Sequence, residues 1–429
     1  MPPTPRSNSN SLGLGRPILF CILILFTFLY LIRTPSAAPT PQSSPKKQPL
    51  AAPVAQQEQD GIHRQRIIGL ADIHGDLPAM TSILRRMKLV DMRGEWIGGN
   101  AVIVQTGDLV DRGPALIAIT RFWDTLRPQA EKAGGGVVNL LGNHEIMNAL
   151  GDWRYVTKED IASFGGERQR RAALSTGFIG QTWRHNYSIT ARVPFTQSFT
   201  SLPSSLTPTL PKTPRGSSSQ LFLGDPTPPP ASEDPFSHAA ASFVHGGITP
   251  EYLSSLASEH PISKINALGS SILYSLLDTP APLSLPRGST EEQREFWSER
   301  GPMWNREYAL DEDEDSICER AEKACRMLGV RRLIMGHTPH FGGIVSRCDG
   351  KILLIDTGIS RAYGGAHSAL EILYTLTPVE DSSEESSAFG SSKTSTKWIE
   401  NEVVSAMYTG DRETVVLATS EREVEIPAA

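Results

Sequence analysis

The sequence predicts an α/β fold, and three observations carry that prediction. Six short apolar runs, Arg66–Ala71, Ala101–Thr106, Val137–Leu141, Ser242–Val244, Arg332–Met335 and Lys351–Ile355, are each bounded by Gly, Asp or His and have the length of buried strands. Helical patterns over Pro78–Leu89, Pro114–Leu126 and Cys318–Leu328 alternate with them. Hydrophobic residues make up 39% of the 429, enough for a sizeable core. The net charge of -6 leaves no basic excess to neutralise phosphates along a groove, so no nucleic-acid partner is expected.

The first element is apolar. Ile18 to Ile32 holds nothing more polar than Thr27 and is bracketed by Arg16 and Arg33. We expect a single transmembrane anchor over 17–33, with the lipid bilayer as a partner, a short tail over 1–16 and a Pro/Ala/Gln-rich stalk over 34–61. A secretory signal peptide cut near Ser36-Ala37-Ala38 is the alternative. Asn186-Tyr187-Ser188 is a glycosylation acceptor pattern and agrees with a folded body in the secretory lumen or outside the cell. That body is expected over 62–380, with a Pro/Ser-rich insertion over 196–236. A polar linker and a peripheral segment follow over 381–429, where Thr414–Ala418 is a possible strand.

Cys21, Cys318, Cys325 and Cys348 are too few and scattered for a disulfide-built fold, and no CxxC pair exists. Cys318 and Cys325 stand seven apart on an expected helix, about 10 Å from each other, so quiet thiols are expected there. The run Asp311-Glu312-Asp313-Glu314-Asp315 lacks the alternation and glycine of a calcium loop and suits a solvated face.

In α/β folds, chemistry collects beyond the carboxyl ends of strands. Here those ends carry Asp72-Ile73-His74-Gly75-Asp76, Gly107-Asp108-Leu109-Val110-Asp111-Arg112-Gly113, Gly142-Asn143-His144-Glu145, His245-Gly246-Gly247, Gly336-His337-Thr338-Pro339 and Asp356-Thr357-Gly358. Mixed imidazole and carboxylate donors suit Zn, Fe or Mn. Asp72 and His74, two apart, can face one side as the chain leaves a strand. With Asp108 bridging, one metal takes Asp72, His74 and Asp108, and a second takes Asp108, Asn143, His245 and His337. Two such ions, about 4 Å apart, can hold a hydroxide for attack on phosphorus.

The remaining polar residues then have roles. His144 is placed to protonate the leaving oxygen, and Asp111 to hold its imidazole. Arg112 offers a planar fork to phosphoryl oxygens. Arg306, in Met303-Trp304-Asn305-Arg306, is a second clamp, and Tyr363, in Ala362-Tyr363-Gly364-Gly365, lines the leaving-group side. His185 and His340 take no role.

These motifs, five of them in order across roughly 64–375, resemble those of the calcineurin-like metallophosphoesterases, and within them the phosphoprotein phosphatase branch. The resemblance implies a β-sandwich of two mixed sheets flanked by helices, with a dinuclear centre at one edge. It implies the ligand set above, Arg112 and Arg306 as phosphate-binding arginines, and Asp111 with His144 as the catalytic pair. Ala71 stands where the family often has Gly. The stretch Asp356-Thr357-Gly358-Ile359-Ser360, then Ala362-Tyr363-Gly364-Gly365, differs from the Asn-Tyr-Cys form of animal-type serine/threonine phosphatases. With Asn143-His144-Glu145-Ile146-Met147-Asn148 and Gly301-Pro302-Met303-Trp304, it is more similar to bacterial-like, Shewanella-type phosphatases, a subgroup with members acting on phosphotyrosine. The expected activity is a metal-dependent protein phosphatase acting on phosphorylated Ser, Thr or Tyr. One alternative is a small-molecule phosphoesterase such as a bis-nucleotide hydrolase, against which Glu145 weighs because that group commonly ends its third motif in Asp. A membrane-tethered, non-catalytic binding module is another, and no ligand position is missing to favour it.

Overall fold

A computed structural model describes residues 62–196, 225, 236, 238–278, 283–379 and 395–427. Its twelve strands run β1 His63–Leu70, β2 Val102–Gln105, β3 Gly136–Leu140, β4 Tyr187–Ser188, β5 Thr190–Pro194, β6 Ala240–Val244, β7 Arg332–Met335, β8 Val345–Arg347, β9 Ile352–Leu354, β10 Ser368–Pro378, β11 Ser395–Tyr408 and β12 Val415–Pro427. Its eleven helices are α1 Leu77–Arg86, α2 Leu116–Lys132, α3 Asn143–Leu150, α4 Lys158–Ser163, α5 Glu167–Leu174, α6 Phe178–Asn186, α7 Pro250–Ser255, α8 Pro261–Asp278, α9 Glu291–Trp297, α10 Glu307–Leu310 and α11 Glu314–Leu328.

The strands form two mixed sheets, ordered β12-β11-β10-β1-β2-β3-β4 and β5-β6-β7-β9-β8. β1 to β4 are mutually parallel, as are β6, β7 and β9, while β10 to β12, β5 and β8 join antiparallel. The sheets pack face to face. Phe195, just past β5, lies 5.4 Å from Tyr374 of β10 between ring centroids. A Cβ on Gly69 of β1 would come within 3.3 Å of Phe243 in β6, so the missing side chain lets the layers close. β2 and β3 are buried at every position and are apolar except at Gln105 and Asn139, as parallel strands covered on both faces are. In β10, Leu370, Ile372, Tyr374 and Leu376 are buried and alternate with half-buried neighbours, the period of a strand with one core face.

Local signals set the helices. Asp76 caps α1 by accepting from the Ala79 amide at 3.1 Å, Pro78 sits in the first turn, and Ala79, Met80, Ile83 and Leu84 make the buried stripe. In α11, Asp313 caps the start and Gly329, at φ 62°, closes the end. Its Ile317, Ala321, Ala324 and Leu328 recur at helical spacing on the core side. α2 runs past the expected end at Leu126, with Pro128 inside it. Trp123 of α2 is fully buried, and its truncation to Ala would cost about 3–5 kcal/mol.

Several expectations are corrected. The sandwich has its two mixed sheets and flanking helices, but the transmembrane segment over 17–33, the bilayer as partner and the lumenal or extracellular placement that rested on it are withdrawn. Among the described residues no helix is long and apolar enough to cross a membrane, and residues 17–33 lie outside them. The stretch also falls short on length, since fifteen helical residues rise only about 22 Å against a hydrocarbon core of about 30 Å. The stalk over 34–61 and nearly all of the 196–236 insertion lie outside the described residues too. The possible strand at Thr414–Ala418 is the start of β12, which pairs with β11 at the outer edge of the larger sheet. β11 escaped notice because its Glu400 and Glu402 are charged yet buried, held by Arg331 and Arg332.

Cys318 is no quiet thiol. It is disulfide-bonded to Cys348, whose Cα lies 5.3 Å away, and the bond ties α11 to the turn after β8. Cys325 is free and buried, as expected. In the acidic run, Asp313 is the α11 cap and Glu314 pairs with Arg347. Asn186 ends α6, half-buried, with its amide donating to Asp124, and Ser188 is buried in β4.

Candidate active site

The turns after β1, β2, β3, β6 and β7 meet at one edge of the sandwich. Their backbones are set in unusual conformations: His74, Asp108, Asp111, Arg112 and His337 all have φ between 45° and 70°. Such values cost about 1–3 kcal/mol each and persist only where surroundings enforce them. Glu145 is one enforcer. Its two carboxylate oxygens accept from the amides of Gly142, Asp108, Leu109 and Val110 at 2.7 to 3.2 Å, which binds the β2 turn to the start of α3. Close approach does the rest. A Cβ on Gly142 would lie 2.0 Å from Asp108 Oδ1, and one on Gly336 would lie 2.5 Å from Asp72 Oδ1.

Asp108 stands at the centre. Its Oδ1 accepts from the His144 amide at 3.0 Å. Its Oδ2 faces three imidazole nitrogens: His245 Nε2 at 3.4 Å, and His74 Nε2 and His144 Nε2 at 3.7 Å each. Two groups of donor atoms within 4.8 Å share it: His74, Asp108 and His144, and Asp108, His245 and His337. Asn143 Oδ1 joins the second, 2.7 Å from His245 Nε2. Asp72 is tied in through the His337 amide, which donates to its Oδ1 at 3.2 Å.

Proton bookkeeping tests whether cations fit. His245 Nδ1 donates to the Thr106 carbonyl at 2.9 Å, and His74 Nδ1 to the Val110 carbonyl at 2.9 Å. Each ring then presents a bare Nε2 lone pair inward. His245 Nε2 meets the Asn143 carbonyl oxygen and the Asp108 carboxylate with no proton between them. Protonating the rings is opposed. Burial, then the neighbouring imidazoles, holds His74 and His245 well below the usual histidine range, and burial with Arg306 lowers His337 to about 3. His337 Nε2 is buried and finds no hydrogen-bond partner among the described residues. Asp72 and Asp108 are pushed up, by burial first and then by Asp356 and by Asp72 respectively. Lone pairs and carboxylates crowded together in a dry site suit cations. The residues fit two metal ions.

Beside this cluster, His144 Nδ1 lies 2.6 Å from Asp111 Oδ2, both groups buried. Arg112 is half-buried and holds its guanidinium 4.7 Å from the Tyr155 ring and 4.6 Å from the Tyr363 ring. Tyr363 also stands 5.4 Å from His74. Arg306 Nη1 donates to the His337 carbonyl at 3.0 Å and to Thr338 Oγ1 at 2.9 Å. The exposed ring of His185 shares a hydrogen bond with Gln181 one turn back on α6.

Asp72, His74, Asp108, Asp111, Asn143, His144, His245 and His337 therefore lie together at one edge. The grouping differs in one respect: His144 Nε2 shares the first cluster with His74 and Asp108, while Asp72 reaches the centre from the His337 side. Sequence reasoning missed Tyr155, Asn148 and Arg170. Asn148 follows His144 by four on one helix, a spacing that puts both on one face and was available as a signal. Tyr155 and Arg170 had none, for their proximity is tertiary.

Comparison with known proteins agrees with this geometry. Residues 65–341 match the model of the calcineurin-like phosphoesterases. An uncharacterised protein of Schizosaccharomyces pombe is 36% identical over 311 residues, covering 71% of this chain and 76% of that one. The protein called Shewanella-like protein phosphatase 2 of Arabidopsis thaliana is 28% identical over 324 residues, 72% of this chain and 75% of its own. Among solved structures, the cold-active protein-tyrosine phosphatase of a psychrophilic Shewanella species superposes with a TM-score of 0.52 at 21% identity, over 72% of this chain and 77% of that one, a likeness of fold.

Proposed function

From the premise that the chain belongs to the calcineurin-like phosphoesterase family and is a phosphomonoester hydrolase with a dinuclear metal site, we propose that its substrates are proteins phosphorylated on Ser, Thr or Tyr. The observation that carries the hydrolase premise is Asp108 Oδ2, ringed by three imidazole nitrogens at 3.4 to 3.7 Å next to the His144–Asp111 pair. Asp72, His74, Asp108, Asn143, His245 and His337 are the residues that would hold the ions. When bound, two such ions act as Lewis acids on phosphoryl oxygens and lower the pKa of water.

The chain's own residues supply the rest. Arg112 and Arg306 bind phosphoryl oxygens by charge and planar geometry. His144 donates from Nε2 to the ester oxygen as its bond to phosphorus breaks, and Asp111 holds the ring through Nδ1. Water then restores the proton. The exposed rings of Tyr155 and Phe341, the latter 6.5 Å from the Tyr363 ring, give the rim an apolar surface that suits the side chains of a polypeptide. Relatives named as protein phosphatases support the substrate class.

The test is phosphate release from a panel of phosphoserine, phosphothreonine and phosphotyrosine peptides and bis-nucleotides, with Mn, Fe or Zn supplied and metal content measured. About two metal equivalents and turnover of phosphopeptides are expected. Turnover of nucleotides alone would overturn the substrate assignment.

A further inference from the structure

Behind the His144–Asp111 pair lies a buried polar chain. Asp111 Oδ1, the oxygen turned away from His144, accepts from Asn148 Nδ2 at 2.9 Å. Asn148 Oδ1 in turn accepts from Arg170 Nη1 at 2.8 Å. Arg170 Nε donates to Asp160 Oδ2 at 2.7 Å. The side chains of Asp111, Arg170 and Asp160 are wholly buried. Arg170 belongs to α5 and Asp160 to α4, so the helical excursion between α3 and β4 reaches under the site. The guanidinium is further held 4.7 Å from the Trp153 ring and 5.7 Å from the Phe164 ring.

We propose that Arg170, acting through Asn148, is a positioning residue that orients the Asp111 carboxylate and so aims His144 Nε2 at the leaving oxygen; this rests on the general-acid reading of His144. Direction follows from hydrogen-bond chemistry. Arginine only donates, and an ionised carboxylate only accepts. Arg170 therefore fixes the Asn148 amide with its oxygen toward the guanidinium and its NH₂ toward Asp111. That NH₂ also donates to the His144 carbonyl at 2.9 Å, which locks it against α3. With Oδ1 engaged, Asp111 turns Oδ2 to His144 Nδ1, and Nε2 is the nitrogen left to carry a proton outward.

Charge explains why a neutral amide stands in the middle. Arg170 Nη2 lies 3.8 Å from Asp111 Oδ1, beyond a hydrogen bond, and has no hydrogen-bond partner among the described residues. Direct pairing there would set a guanidinium in competition with the imidazolium for one carboxylate. Asp160 takes the closer pairing with Arg170, at 2.7 Å, and the guanidinium stays 3.8 Å from Asp111, so the Asp111 oxygens keep their hydrogen bonds to Asn148 and His144.

The experiment compares phosphoserine peptide, whose leaving alkoxide needs a proton, with 2,4-dinitrophenyl phosphate, whose leaving group departs without one. It uses metal-loaded full-length protein. Arg170→Met and Asn148→Leu are each expected to lower kcat on the peptide about 10- to 100-fold, within the range general acids contribute, and to change the dinitrophenyl rate less than about threefold. Metal content should match wild type. Asn148→Leu leaves the Arg170–Asp160 pair intact and carries the test should Arg170→Met not fold. His144→Ala is the control, and a split between the two substrates in that variant sustains the general-acid reading. Given that split, equal losses on both substrates, or no loss on either, in Asn148→Leu would overturn the proposal. No split in His144→Ala would instead overturn the general-acid reading on which it rests.

Discussion

The guanidinium of Arg112 rests 4.6 Å from the ring of Tyr363 and 4.7 Å from the ring of Tyr155. Its Nε is buried without a hydrogen-bond partner among the described residues. Stacking fixes the plane of the fork and leaves its donors directed by the rings rather than by an ion pair. Arg112→Ala is expected to raise KM for phosphopeptide and the inhibition constant for inorganic phosphate together. Tyr155→Ala is expected to do the same by a smaller factor, on the order of 3- to 5-fold for one exposed cation–π contact. Unchanged inhibition by phosphate in Arg112→Ala would remove the clamp from the site.

Asp108 is the one side chain common to both groups of donor atoms. Asp108→Asn keeps the shape and loses the charge. About two orders of magnitude in kcat should go with it, the equivalent of roughly 3 kcal/mol of transition-state stabilisation. Bound metal, measured by elemental analysis after gel filtration, should fall below wild type. A variant with full metal content and full rate would show that Asp108 bridges nothing.

Acid should destabilise the metal-free protein through its buried imidazoles. His337 is lowered to about 3 when folded, against an ordinary value of about 6.5 when unfolded. The unfolded chain therefore takes up a proton that the folded chain refuses, and stability falls as pH drops through 6.5 and on toward 3. At pH 5 this costs about 2 kcal/mol relative to pH 7 for His337 alone. Urea unfolding of chelator-treated protein at pH 7 and 5 measures it. His337→Gln should show a smaller drop by about that amount, and an identical drop would show that the ring is not buried neutral.

The thiols should separate cleanly. Burial pushes the Cys325 thiol up to about 12. At pH 8.5 its thiolate fraction is then roughly three orders of magnitude below that of an exposed cysteine. Native protein should resist iodoacetamide at Cys325, with reaction appearing only on unfolding, by mass spectrometry. The Cys318–Cys348 bond closes a separation of 30 residues, and Cys318→Ala with Cys348→Ala should lower stability by about 3 kcal/mol. A double variant as stable as wild type would show that the bond restrains nothing.

What the sequence determined by itself was the inventory of the site and its place at strand ends. Asp72, His74, Asp108, Asn143, His144, His245 and His337 were legible because each follows an apolar run, and backbone period and turn chemistry are local properties. Asn148 was half legible, four residues beyond His144 on the same helix. The tertiary structure decided the rest. Tyr155 and Tyr363 are 208 positions apart and share one guanidinium; Arg170 reaches Asp111 from a helix that carries no motif; Cys318 meets Cys348 rather than its helical neighbour Cys325. β11 hid its buried Glu400 and Glu402 behind a polar composition until Arg331 and Arg332 stood opposite. The physical reason is common to all of these. A charged or polar group can be buried only beside its partner, and which partner it meets depends on how the sheets and helices pack, a property of distance in space that no local window of sequence contains.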